Sequence, residues 1–213
     1  MSADPTVIET SAFAGLPTTV GSGSGVIATE REGLGIARIA ARQAQGAEVA
    51  ELFRAQFGVE PPHGPRRASA GDVGIAGIGP QAWLATREHA GNAFAQTVRD
   101  LLGECASVCD LSDAFAILRL AGPKVRETLA KLVPVDIHPR SFRVSHVAQT
   151  VCGYLNVTLW RLEDTAQHDP VFEIWAGRSL AVSLHRAISH SAAEFGFMRR
   201  MSVGSAGAGR PAA

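Results

Sequence analysis

The chain has 213 residues, 46% of them hydrophobic, and its 20 Lys and Arg balance 20 Asp and Glu. That size allows a sizeable core in one domain or two small lobes, and the absent net charge supplies no bulk field for nucleic acid or an anionic membrane. Three cysteines, Cys105, Cys109 and Cys152, lack Cys-x-x-Cys spacing and suit a reducing compartment better than a disulfide framework; the opening residues carry no basic and then apolar leader, and no run approaches spanning length, so a cytoplasmic protein is expected.

Residues 1–24 mix Pro, Ser, Thr and Gly without a sustained period and are expected to form a flexible N-terminal arm. "GVIATEREGLGIARIAAR" then alternates around a Glu-Gly break, which predicts two short strands or one bulged strand. In "GAEVAELFRAQFG", Val49, Leu52, Phe53 and Phe57 fall close to one helical face and Gly58 takes the C′ position. "PPHGPRRASAG" reads as loop, and "DVGIAGIGPQAWLATRE" as strand, Gly-Pro turn and strand, with Trp83 in the core. A second helix, "NAFAQTVRDLLG", gathers Phe94, Val98, Leu101 and Leu102 before Gly103 stops it.

Two strand-like runs follow, "CASVCDLS" and "AFAILRLAG", and then "GPKVRETLAKLVPVDIHP", a helix with Pro123 at N1 and Val125, Leu129, Leu132 and Val133 on its buried side. "FRVSHVAQTV", "YLNVTLWRL" and "PVFEIWAG" are β-rich. "RSLAVSLHRAISHSAAEFG" is helical, with Leu180, Leu184 and Ile188 in phase, Phe195 two turns on and Gly196 as terminator. Mixed runs of this kind predict an α+β fold with about four helices and mixed, largely antiparallel sheets. The domain is placed at 25–196, as one unit or as two lobes at 25–110 and 111–196, and a flexible C-terminal tail at 197–213.

Gly23-x-Gly25-x-x-Ala28 has the loosest spacing of a dinucleotide loop, but Pro17 lies just upstream and strand-like alternation follows, so the required strand and helix are missing and an arm is the better reading. Cys105 and Cys109 lack a second pair at zinc-ligand spacing and are assigned to core packing. His185 and His190, five apart on a helix, look to different faces. His138 beside Asp136 reads as a hydrogen-bonding turn group, and Ser145-His146 and Asp110-Leu-Ser112-Asp113 supply the residue types of a triad without its geometry. No G-x-S-x-G occurs. A chain without a reactive constellation favours a structural or regulatory subunit over an independent enzyme.

The ordered blocks "GIGPQAWLAT", "CDLSDAFAILRLAGPKVRETLAKLVPVDIHP", "HVAQTVCGYLNVTLWRL" and "FEIWAGRSLAVSLHRAISHSAAEFG" resemble the gamma subunit of heterotetrameric sarcosine oxidase. More distantly they look like the folate-binding aminomethyltransferase of the glycine cleavage system. The resemblance implies an aminomethyltransferase-like architecture with ferredoxin-like subdomains, and a noncatalytic accessory subunit that stabilises flavoprotein partners. It implies alpha, beta and delta subunits as partners, with FAD, FMN, NAD and zinc held by them and no cofactor, metal or catalytic residue in this chain. The parent complex of such a subunit demethylates sarcosine to glycine, forming hydrogen peroxide and 5,10-methylenetetrahydrofolate. Trp160 and Arg178 become the candidate interface residues, with Trp160 open between interface and core, Trp175 assigned to core, and Arg178 equally readable as a solvated charge. A freestanding folate-binding protein of the same fold, and the equivalent subunit of a related N-methyl amino acid oxidoreductase, are the competing readings.

Overall fold

The computed structural model describes residues 10–200. Apolar runs such as Val171–Gly177 bury both faces at once, because every second residue turns toward a helical layer and the alternate ones toward another sheet. In that strand Phe172, Ile174 and Ala176 enter one core and Trp175 another. The consequence is a four-layer stack of helices, sheet, sheet and helices.

The strands, in chain order, are β1 (Thr19–Val20), β2 (Val26–Glu30), β3 (Gly35–Ala41), β4 (Arg67–Ala70), β5 (Val73–Gly79), β6 (Ala82–Arg87), β7 (Ala106–Asp110), β8 (Phe115–Ala121), β9 (Val147–Cys152), β10 (Leu155–Leu162), β11 (Val171–Gly177) and β12 (Phe197–Arg200). The helices are α1 (Gly46–Phe57), α2 (Ala93–Leu102), α3 (Val125–Ala130) and α4 (Ala181–Ala192). One sheet has the order β4-β5-β6-β3-β7 and the other β1-β12-β2-β8-β11-β10-β9. Among the described residues all pairings of these strands are antiparallel except that of β12 with β2. The expected α+β class with largely antiparallel sheets and about four helices is therefore the one observed among the described residues.

The five-stranded sheet packs α1 and α2 on its outer face around Val49, Phe53, Trp83, Phe94, Val98 and Leu102. The seven-stranded sheet packs α3 and α4 around Val125, Leu129, Leu159, Phe172, Leu184 and Ile188. Between the sheets lies a third core of Leu34, Ile36, Ala76, Leu84, Ile117, Val147, Trp160 and Trp175. The sheets join at one corner, where Arg66 bridges His146, Arg67 N–H donates to the Ser145 carbonyl at 2.7 Å and Val147 N–H to the Pro65 carbonyl at 3.0 Å.

Several local expectations hold and several change. Gly58 ends α1 in the left-handed region at φ 68°, with its N–H on the Arg54 carbonyl, as its C′ placement requires. "RASA", read as loop, is edge strand β4, closed onto β5 by the turn at Gly71 and Asp72; Pro and Gly upstream masked a strand of four residues. Pro123 stands outside α3, whose N-cap is Lys124. Strand β2 belongs to the sheet of residues 115–200 rather than to the first lobe, through its pairs with Leu118 to Ala121.

The N-terminal arm and C-terminal tail change most. Residues 10–20 are packed, with Phe13 fully buried, and residues 197–200 form β12 between β1 and β2. Charged and polar groups from three elements hold the segment. Arg199 Nη2 donates to the Phe13 and Leu16 carbonyls at 3.1 and 3.0 Å, Ser11 donates to the buried Glu30 carboxylate at 2.8 Å, and His185 Nε2 meets the Pro17 carbonyl at 2.9 Å. Residues 1–9 and 201–213, the rest of the expected arm and tail, lie outside the described residues.

His185 makes this clasp sensitive to acid. Burial holds its imidazole below the ordinary value of 6.5, against the Pro17 hydrogen bond that raises it and with Arg199 and His190 lowering it further. The unfolded chain therefore takes up the proton first, so the stability contribution is present above 6.5 and is lost as pH falls through the folded value. Urea midpoints between pH 7.5 and 5 should fall more steeply for the native protein than for His185→Gln. Equal slopes would place the acid sensitivity elsewhere, for instance on His146, lowered by burial and by Arg66 and Arg143.

Candidate functional site

The register of the seven-stranded sheet lines up Thr29, Arg119, Glu173, Trp160 and Val147 across five strands on the side facing the other sheet. A carboxylate in such a place must be paired to be tolerated. Glu173 is 4% exposed, and its Oε2 accepts from Arg119 Nε at 3.0 Å and Nη2 at 2.8 Å, with Arg31 Nε at 3.5 Å. Its Oε1 accepts from Trp175 Nε1 at 3.0 Å. Arg31 also pairs with Glu88, and Arg67 enters from β4 with its Cζ 5.9 Å from the Trp160 ring.

Trp160 and Trp175 pack with ring centroids 4.7 Å apart and are both 1% exposed. Trp160 is thus a core residue of the inter-sheet layer, which corrects its candidacy as a surface contact; Trp175 is core as expected. Alternation explains the result, because Trp160 shares the inner face of β10 while Val157, Leu159 and Arg161 take the other. Arg178 is exposed just past β11 and donates to the Thr10 carbonyl, so the structure commits it to the N-terminal segment.

The other sequence candidates do not converge. The glycine-rich stretch runs past the exit of α4: a Cβ on Gly21 would lie 2.0 Å from the Ala193 carbonyl oxygen and one on Gly25 2.6 Å from that of Phe195. Close backbone passage, not phosphate, explains those glycines. His138 accepts from Arg140 N–H at 3.3 Å, and its own N–H donates to Asp136 at 3.0 Å, as in an exposed turn. Asp110 accepts from Ser112 N–H and Oγ at 3.0 and 2.7 Å. His185 is buried and His190 exposed. Among the described residues, no three His, Cys, Asp or Glu gather as metal ligands would.

Two surfaces escape sequence reasoning. The sheets overlap only in part, so on the inner face of the five-stranded sheet Arg38, Ser107 and Cys109 remain exposed beyond Leu84. Cys109 was expected in the core, but it shares the uncovered face of β7 while Ala106 and Val108 pack toward α2. On the other side of that sheet, a cleft of about 890 Å³ lies between α1, residues 60–65 and the β5–β6 turn. Trp83 lines it and donates from Nε1 to the Pro62 carbonyl at 2.9 Å. The one sequence signal for the cleft is "PPHGP", whose prolines and glycine hold a loop away from the helix.

In fold, the chain is an α+β protein of the aminomethyltransferase kind. It superposes with a TM-score of 0.58 and 9% identity on the glycine cleavage system aminomethyltransferase T of Bartonella henselae, over 83% of this chain and 47% of that one, a likeness of fold alone. The model of the sarcosine oxidase gamma subunit family matches residues 40–193, and the chain belongs to that family. Sarcosine oxidase subunit gamma of an Arthrobacter species is 33% identical over 93 residues, 44% of this chain and 46% of the relative; that of Corynebacterium sp. (strain P-1) is 36% identical over 84 residues, 39% and 41%. The chain thus matches less than half the length of these curated relatives. A chain of the heterotetrameric sarcosine oxidase from Corynebacterium sp. U-96, solved in complex with pyrrole 2-carboxylate, superposes with a TM-score of 0.69 at 25% identity, covering 83% of this chain and 88% of that one.

Proposed function

We propose that this chain is the accessory subunit of a heterotetrameric sarcosine-oxidising complex, and that it acts by assembly rather than by chemistry of its own. The observation that carries the reading is the family match across residues 40–193. The partners are flavoprotein subunits that hold FAD, FMN and NAD, and a zinc-holding subunit; together they convert sarcosine to glycine with hydrogen peroxide and 5,10-methylenetetrahydrofolate as the further products. This chain contributes a rigid two-sheet body that holds their active sites in register.

The uncovered inner face of the five-stranded sheet supports the reading, because its exposed Arg38 and Ser107 offer polar contacts to a partner docked over it. Co-expression of the large subunits with and without this chain tests the proposal by size-exclusion chromatography and sarcosine-dependent peroxide release. Assembly and turnover only in its presence is the expected result; unchanged assembly and rate without it would sink the reading.

Cys109 reports the docking face directly. It is exposed, whereas Cys152 is fully buried with its thiol pushed up to about 11 by burial, and the half-buried Cys105 thiol is raised by desolvation and by Glu48. Iodoacetamide should alkylate Cys109 first in the free chain. In the complex, peptide mapping should find its rate at least tenfold slower; an unchanged rate would move the interface to another face.

A further inference from the structure

The cleft between α1 and the β5–β6 turn has two unlike walls. Ala47, Ala50, Glu51 and Arg54 recur at helical spacing on the face of α1 turned away from the buried Val49 and Phe53, so this wall is smooth at the alanines and charged farther along. Pro62 and Pro80 stand on the other side, and Trp83, 6% exposed, forms the floor. The indole is pinned by its 2.9 Å bond to the Pro62 carbonyl, so the slot keeps its shape before anything enters it. Its volume of about 890 Å³ lies within the span of roughly 300–1,000 Å³ typical of small-molecule sites.

Two further features mark the slot. Ala44 and Gln81, both on its lining, are non-glycine residues in the left-handed region, at φ 66° and 52°, and backbone of this kind gathers at ligand clamps. Gln81 also closes one end, since a Cβ on Gly46 would stand 3.0 Å from its Oε1. The second feature is charge. Glu51 and Glu60 line the cleft with Arg54 as the one arginine or lysine, which leaves one negative charge over when His63 is counted as neutral. Arg54 meets Glu60 only at 3.8 Å, with both side chains more than half exposed, and Glu51 makes no ion pair within 4 Å among the described residues.

We propose that this cleft binds a small amine: a flat apolar group held between the alanines of α1 and Trp83, carrying one positive charge that Glu51 receives at the mouth. Burial of the flat group supplies most of the affinity. The carboxylate is open to water, so it selects by charge more than it strengthens binding. An anion of the same shape would meet two carboxylates. The site lies wholly within this chain and does not depend on the assembly proposed above.

Benzylamine, benzyl alcohol and benzoate are the probes: one ring with a positive charge, none and a negative charge. In the full chain, the indole N–H signals of Trp83, Trp160 and Trp175 are assigned with Trp→Phe variants and followed by 1H–15N correlation at pH 8 and fixed ionic strength. The Trp83 signal should move saturably with benzylamine, which binds at least threefold more tightly than benzyl alcohol and at least tenfold more tightly than benzoate. Trp160 and Trp175, in the layer between the sheets, should stay still. Glu51→Gln, at an exposed position, should weaken benzylamine about threefold, the scale of an ion pair open to water, and leave benzyl alcohol unchanged. Ala47→Phe fills the slot from an exposed position and should abolish both responses. A Trp83 signal that stays still, equal affinity for the three probes, or benzylamine binding indifferent to Glu51→Gln would overturn the site. In the complex with 15N-Trp in this chain alone, a retained benzylamine response supports a small free ligand. A Trp83 signal already shifted and indifferent to benzylamine would mean that a partner subunit fills the cleft, and would overturn the proposal.

Discussion

Glu173→Leu should cost about 3 kcal/mol of folding stability, the low end of the range for breaking a buried ion pair. The low end applies because the Arg119 side chain is 36% exposed and water can re-solvate it, whereas that of Arg31 is only 15% exposed and retains Glu88 alone. Trp175 Nε1 loses its acceptor as well, and burial without one adds to the loss. Urea denaturation reads the effect. The double variant Glu173→Leu, Arg119→Leu should recover part of it, since the stranded charge goes with its partner. A loss below about 1 kcal/mol in the single variant would mean that the pair contributes no more than a surface salt bridge.

Phe13→Ala should cost about 3–5 kcal/mol, as large-to-small changes at fully buried aromatic sites do. Phe13 is 0% exposed and joins the core of the seven-stranded sheet with Val26, Ala28 and Phe197. A residue on a solvated arm would lose almost nothing. Denaturant midpoints together with protease cleavage near Gly21 distinguish the cases: the packed segment becomes cleavable only in the variant, whereas a loose segment is cut equally in both.

The elements that were legible in the sequence are those whose period and punctuation agree. Helix α1 announces itself through Val49 and Phe53 on one face and Gly58 at the end, and the β5–β6 hairpin through its Gly-Pro turn. What was not legible depends on contacts across long separations. The Phe13 segment looks like an arm because its anchors, His185 and Arg199, lie 168 and 186 residues from the carbonyls they hold, and β12 is too short to carry a period. Cys109 and Trp160 each sit on alternating strands, and alternation says which residues share a face but not whether a second sheet covers it. The ion pairs of Glu173 had one local sign, a carboxylate between Phe172 and Ile174 in an otherwise apolar run.

The nesting of one sheet within the other orders the folding in time. Strands β2 and β8 are antiparallel neighbours, and the entire five-stranded sheet is strung between them in sequence. That inner unit has all its strands once Asp110 has left the ribosome, and its contacts are comparatively local. The outer sheet must wait for β12, whose place between β1 and β2 closes a span of roughly 170 residues, the slowest kind of pairing. During that interval β2 lacks its neighbour, and β12 seals the sheet around the N-terminal segment once it pairs. Nascent chains of this protein are therefore most vulnerable to edge-to-edge aggregation at β2 for as long as β12 has not paired with it.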